Sequence, residues 1–453
     1  MSEPASPQEC DVIVIGLGPG GEHAATQLAK AGLDVVGVDE RLVGGECPYF
    51  GCVPSKMMIA AATRLREARS VAGQAGSVDV RPDWGPVATR IRDEATDDWD
   101  DQVAVDRLVG AGARFVRGRG RITGPGEVAV EGVTYRARRG IVLNTGTTPS
   151  APPVHGLAET PYWTNRDIVR LTELPSSLAV IGGGPIGCEL AQVMAAFGVA
   201  VTVVEVADRL IAVEEPEAST ILTSSFEADG IEVLTGVHID EVRHADDRFT
   251  IVLEEGRTVE AERLLVAAGR RNNLGDLGLE HVALDPQARV LEPDERMRVA
   301  PGVWAIGDIT GKGAFTHVSM YQADVVVRDL LGQDGPWADY RAVARTTFTS
   351  PEIGSVGLSE AAARAQGLDV LVATGDLGSR GWLAREEGVV KLVADGARGV
   401  LVGGCAVGPS GGEVLSLLAT AVHAEIPIAT LAEMHFAYPT YYRAVQPVLR
   451  ALL

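Results

Sequence analysis

Cys47 and Cys52 stand close together, as Cys47-Pro48-Tyr49-Phe50-Gly51-Cys52, in a chain of 453 residues with five cysteines. A close thiol pair either binds a metal or cycles between dithiol and disulfide. Tetrahedral zinc wants four ligands, and no second Cys or His pair with ligand spacing follows, so the residues favour redox chemistry with no metal. On an ideal helix, residues five apart rise about 7.5 Å and turn about 140°, too far for a disulfide. Cys47 must therefore precede or distort the helix that follows. That leaves Cys52 in its first turn, where the helix dipole favours a thiolate. Lys56 puts a cation on the same helix. Cys10, Cys188 and Cys405 stand alone and read as buried, inert thiols.

Two glycine-rich turns surround this chemistry. Gly16, Gly18 and Gly21 close an apolar strand and open a helix, and Asp39 ends the next strand. Gly182, Gly184 and Gly187 repeat the arrangement, with Glu205 at the same remove. Such glycines let backbone approach a pyrophosphate, the helix N-terminus supplies N–H donors, and the acid accepts from ribose hydroxyls. Two dinucleotide sites in one chain imply a flavin and a nicotinamide. Glu205 favours NADH over NADPH, because a carboxylate repels a 2′-phosphate. Arg209, close behind, would temper that preference if it reached the ribose. Glu189 is a carboxylate on the helix that would bind the nicotinamide.

The supporting elements follow from length and pattern. A chain this long holds about three domains and a large core. Residues 55–110 carry helical periodicity, 118–144 read as a small antiparallel meander, and a helix is expected over 216–229. From about Arg341 the pattern changes to strands near Thr346 and over 388–393, then helices over 413–424 and 430–435. Lys plus Arg is 40 against 61 Asp plus Glu, a net charge of −21, which repels nucleic acid and anionic lipid. The first residues lack a basic and apolar leader pattern, and no apolar run is long enough to span a bilayer. A cytoplasmic protein acting on a small molecule, with no nucleic-acid or membrane partner, is expected.

The glycine turns, Gly44-Gly45-Glu46-Cys47 through Gly51-Cys52-Val53-Pro54-Ser55-Lys56, Gly182 to Glu189, Val303 to Asp308 and Ser350-Pro351-Glu352-Ile353-Gly354 together resemble the pyridine nucleotide-disulfide oxidoreductases over almost the whole chain. The resemblance implies an α/β fold of two Rossmann-like domains, binding FAD and NAD(P), plus a C-terminal α+β dimerisation domain. The expected boundaries are 1–155 for the FAD domain, 156–272 for the NAD(P) domain, 273–340 for the return to the FAD domain and 341–453 for the domain that makes a homodimer. It also implies roles. Gly45 and Asp308 would hold the flavin, Asp308 at its ribityl chain, and His317 would meet its pyrimidine edge. Cys52 would be the thiol nearest the flavin and Cys47 the one that attacks substrate, with Lys56 and Glu189 an ion pair beside flavin N5.

Two departures from the family pattern shape the functional reading. The general acid/base His and its partner Glu are replaced by Tyr438 and Arg443. A tyrosine, with an ordinary pKa near ~10, is a poor base at neutral pH. Tyr438, His435 or water is left to move the proton. Glu46 stands where the family has Thr or Ser, and either raises the pKa of Cys47 or faces solvent. A C-terminal cysteine pair is missing from the sequence, which disfavours mercury reduction. The expected function is transfer of hydride from NAD(P)H through FAD to the Cys47-Cys52 disulfide and on to a disulfide-type acceptor. The alternative is reduction of quinone or oxygen directly from flavin.

Overall fold

The structure, a computed structural model, describes residues 6–453; Met1–Ala5, part of the terminal stretch read above for a leader, lie outside the described residues. The chain forms two compact units. One comprises the N-terminal segment to Pro54, Arg90–Pro149 and Arg270–Asp339; the other comprises Ser55–Thr89, Ser150–Gly269 and Tyr340–Leu453.

In the first unit a sheet runs in the order Arg298–Ala300, Val303–Ala305, Val133–Leu143, Gln8–Ile15, Val35–Asp39, Arg114–Arg117. All neighbours after the first pair are parallel. Parallel sheets are covered on both faces, so their strands read as unbroken apolar runs. Val12 and Val14 accordingly enter one core cluster, with the helices Pro19–Lys30 and Thr316–Leu330, while Ile13 and Ile15 enter another on the opposite face. The expected meander is Arg121–Gly124, Glu127–Val130 and the start of Val133–Leu143.

The second unit holds a parallel sheet in the order Glu232–Leu234, Ala200–Val204, Ser177–Ile181, Arg263–Val266. It also holds an antiparallel sheet of Ala344–Thr347, Glu352–Gly357, Val400–Gly408, Val389–Asp395 and Val370–Asp376, in that order. The helix Gly411–His423 packs Val414, Leu415 and Leu418 onto that sheet. Residues Ser55–Thr89 belong to this unit although they follow the cysteine pair directly. Arg66 pairs with Asp229 at 2.5 Å, Arg69 donates to the Ala196 carbonyl at 2.8 Å, and the Trp84 ring stands edge-on to Phe197.

Two helical expectations shift. The periodic stretch 55–110 is not continuous: it divides into Cys52–Ser70, Gly85–Arg90 with a π turn over Ile91–Ala95, and Gln102–Gly110. Gly73 and Gly76, at φ 76° and 147°, end the first of these runs, since left-handed backbone cannot continue a helix. The last expected helix runs Ile428–Ala432 instead, because Pro427 fixes its start.

Candidate active site

The two glycine turns are built alike. At the first glycine of each, φ is positive, 90° at Gly16 and 114° at Gly182, and a Cβ would lie 2.3 Å from the Asn144 carbonyl oxygen or 2.5 Å from that of Ala267. Each acid then ties its own turn. The Leu17 N–H donates to Asp39 Oδ2 at 2.7 Å and the Arg41 N–H to Oδ1 at 2.7 Å. The Gly183 N–H donates to Glu205 Oε2 at 2.5 Å and the Ala207 N–H to Oε1 at 2.7 Å. Burial raises the pKa of Asp39, partly offset by those two donors. Gly18 and Gly184 are the N-caps of twelve-residue helices without a side-chain cap, and a Cβ on Gly184 would meet nothing within 4 Å. Helix starts whose N-cap residue brings no side-chain acceptor suit a pyrophosphate, and the surroundings are open at Gly184, whereas at the first turn a Cβ on Gly18 would lie 3.3 Å from Asn144 Oδ1.

Arg209 is engaged elsewhere. Its guanidinium donates to the carbonyls of Ala212 at 2.8 Å and Glu214 at 3.1 Å, and to Ser219 Oγ at 3.3 Å. The cation that tempered the NADH preference is therefore tied to its own loop.

Cys47 lies in a separate one-turn helix, Glu46–Tyr49, and Cys52 opens the helix Cys52–Ser70. The break lets the two sulfurs come within hydrogen-bonding reach, which an unbroken helix would forbid. That hydrogen bond, followed by burial, pushes the Cys47 thiol well up. The Thr316 hydroxyl stands at both sulfurs, donating to Cys47 and 3.6 Å from Cys52 Sγ, where its own helix begins. Gly45, at φ 69°, packs against Gly18: a Cβ there would lie 2.8 Å from the Gly18 Cα. The cysteine turn and the first nucleotide turn are thus in contact.

Glu46 takes neither expected position. It pairs with Arg270 at 3.1 Å, and both side chains are largely buried. Arg270 also donates to Thr147 Oγ1 at 2.7 Å, and that hydroxyl donates to Asp308 Oδ2 at 2.6 Å. His317 sits in the first turn of the helix Thr316–Leu330, its ring stacked on Phe315 at 5.3 Å.

In the second unit Lys56 Nζ donates to Glu189 Oε2 at 2.7 Å. The Phe348 N–H donates to Glu189 Oε1 at 2.8 Å, and the Phe348 ring lies under Lys56, with Nζ 4.6 Å from its centre. Glu189 is buried, so both oxygens need these partners. Tyr438 is 67% exposed, with the Arg443 guanidinium 5.4 Å from its ring centre; His435 is also exposed. Cys10, Cys188 and Cys405 are buried. Burial pushes Cys10 up to about 11 and Cys405 up to about 12, so neither is a nucleophile at neutral pH.

Several contributors were not anticipated from sequence: Asn144, Thr147, Arg270, Thr316 and Phe348. Asn144 Oδ1 accepts from the Gly21 N–H at 2.8 Å while its Nδ2 donates to the Ile306 carbonyl at 3.0 Å, joining the first turn to the strand end before Asp308. Its position directly after an apolar strand was the one available signal.

The pyridine nucleotide-disulphide oxidoreductase model matches residues 10–323, and the dimerisation domain of the same family matches residues 343–448. The dihydrolipoyl dehydrogenase of Halobacterium salinarum is 32% identical over 458 residues, covering 96% of this chain and 94% of that protein. That of Chlamydia muridarum is 31% identical, covering 95% and 94%. The crystal structure of LpdA from Mycobacterium tuberculosis superposes with a TM-score of 0.86 at 28% identity, covering 98% of this chain and all of that one. No described helix is long and apolar enough to cross a membrane. The chain belongs to the pyridine nucleotide-disulphide oxidoreductases, as a homodimer-forming flavoprotein enzyme that works with FAD and NAD(P)H.

Proposed function

We propose that this enzyme passes reducing equivalents from NADH to the Cys47-Cys52 disulfide and from there to a small disulfide-type acceptor. The observation that carries the reading is that the two sulfurs stand within hydrogen-bonding reach of each other, across the break between the helices Glu46–Tyr49 and Cys52–Ser70. FAD, when bound, would supply the electron-pair chemistry between the nicotinamide and that disulfide. Gly16, Gly18, Gly21, Asp39, Gly45, Asp308 and His317 would hold it; Gly182, Gly184, Gly187 and Glu205 would hold the nicotinamide dinucleotide.

The chain's own groups do the rest. Lys56 and Glu189 set a fixed charge pair one turn along the helix that Cys52 opens. Cys47, as thiolate, attacks one sulfur of the acceptor, forming a mixed disulfide and releasing the first product thiolate. Cys52 then attacks Cys47 Sγ, restoring the internal disulfide and releasing the second. Each released thiolate takes a proton, which Tyr438 or water supplies. The Thr316 hydroxyl, donating to Cys47, supports the charged form of the attacking sulfur.

The test is an anaerobic titration with NADH, then NADPH. Two electrons per FAD should produce long-wavelength charge-transfer absorbance and two new thiols, and Cys47→Ser should abolish turnover of disulfides. Bleaching of the flavin with no new thiols would overturn the reading in favour of direct reduction of quinone or oxygen.

A further inference from the structure

Glu46 sets a problem that the surrounding residues answer. A carboxylate directly before a thiol that must ionise works against that ionisation. Yet the upward push on Cys47 comes from its bond to Cys52 and from burial, with no leading contribution from Glu46. The reason lies in the geometry: Arg270 Nη2 is 3.1 Å from Glu46 Oε2, with Glu46 28% and Arg270 21% exposed. The guanidinium is held on its other side, where Nε donates to Thr147 Oγ1 at 2.7 Å and Nη2 to the Thr147 carbonyl at 3.1 Å. Thr147 in turn donates to Asp308. The strands carrying Arg270 and Thr147, Arg270–Asn272 and Thr147–Pro149, are paired antiparallel, which fixes the two residues against each other.

We propose that Arg270 is a positioning residue for the cysteine turn, neutralising Glu46 beside Cys47 and tying that turn, through Thr147, to Asp308. The inference deepens the function proposed above and rests on it for its use in turnover. The groups facing Cys47 are the Cys52 thiol from the next helix, the Thr316 hydroxyl from the helix Thr316–Leu330 and Glu46 beside it in sequence, with Arg270 facing Glu46 from its strand. One fixed cation therefore serves two carboxylates, directly at Glu46 and through a hydroxyl at Asp308. This arrangement lets the chain keep a Glu where a neutral hydroxyl residue would otherwise stand.

The experiment is the rate of Cys47 alkylation by iodoacetamide against pH, with flavin-loaded protein reduced by dithiothreitol and the modified site mapped by mass spectrometry. The reagent is uncharged; the thiolate forms the S–C bond, iodide leaves and the thiol proton goes to buffer, so the rate follows the thiolate fraction. Arg270→Met exposes the Glu46 charge and should move the midpoint to higher pH by about one unit, an about tenfold slower reaction below the midpoint, with the alkaline plateau unchanged. Adding Glu46→Gln should return the rate to within about threefold of the parent. An unmoved midpoint in Arg270→Met, or a loss that Glu46→Gln fails to restore, overturns the proposal; a purely structural role for Arg270 would give the latter. If Arg270→Met loses its flavin, Glu46→Gln alone decides: the midpoint should move to lower pH, and an unmoved one overturns the proposal. Because the reductant is external, the profile stands even if NADH generates no thiols, the outcome that overturns the functional reading alone.

Discussion

Lys56 and Glu189, 133 positions apart in sequence, meet at 2.7 Å with the Phe348 ring beneath the ammonium. Lys56→Met leaves Glu189 buried with its amide partner and no cation. Removing one member of a buried pair costs about 3–5 kcal/mol, and the one-third exposure of the Lys56 side chain lowers the expected loss to about 2 kcal/mol. NADH consumption should fall about a hundredfold, as for loss of a preorganised charge at a reacting centre. Denaturant unfolding and stopped-flow mixing with NADH check the two effects separately, and unchanged NADH consumption would sink the assigned role.

Cofactor choice rests on Glu205 and the engagement of Arg209. NADH should be used with kcat/KM at least about tenfold above NADPH, since the carboxylate repels a 2′-phosphate while Arg209 is held by Ala212, Glu214 and Ser219. Glu205→Ser should narrow that ratio. Steady-state kinetics with both nucleotides decide, and a preference for NADPH in the parent would show that Arg209 leaves its loop when nucleotide binds.

Tyr438, with Arg443 beside its ring, stands where the family pattern has an imidazole and a carboxylate. Restoring an imidazole and a carboxylate, Tyr438→His with Arg443→Glu, should raise disulfide turnover by at least about tenfold, the lower part of what a positioned acid/base contributes. A panel of small disulfides measures it. No gain with any of them would mean that proton transfer is not what limits the parent enzyme.

Lys391 is only 4% exposed and holds Glu215 at 2.9 Å, Glu217 at 2.9 Å and Glu360 at 3.0 Å. Burial opposes its charge, but the three carboxylates outweigh burial and raise its pKa, so its contribution is complete below its ordinary value of about 10.5 and fades only as strong alkali is reached. Glu360, lowered first by its bond to Lys391, contributes above its ordinary 4.5 and loses that contribution as pH falls through its depressed folded value. The cluster's own contribution, read as the difference in melting temperature between parent and Lys391→Met, should therefore be flat from about pH 5 to 10 and shrink in acid. Lys391→Met, which strands buried Glu215, should cost about 3–5 kcal/mol at pH 7. A variant as stable as the parent would show that the cluster adds nothing.

What the sequence made legible was whatever depends on short spacing. Asp39 and Glu205 were recognisable because each closes a strand–turn–helix–strand unit, and the break between Cys47 and Cys52 followed from helix geometry alone. The Lys56–Glu189 pair was visible only through family resemblance, since nothing local makes a lysine and a glutamate so far apart into partners. Arg270 and Phe348 were invisible for the same reason. Arg270 reads as one more charge after a glycine, and its bond to Glu46 spans 224 positions. Glu46 itself was framed as acting on Cys47 or facing water, because a neighbour in sequence is easier to weigh than one brought by strand pairing.

The Phe348 amide carries a consequence for how the enzyme is made. Glu189 receives that hydrogen bond from a residue translated 159 positions later. A chain made only as far as the strand Arg263–Val266 has every strand of that parallel sheet, yet its Glu189 still lacks the amide that fixes one oxygen and the aromatic face beneath Lys56. The last part of the chain therefore completes a charge pair that the earlier parts only begin.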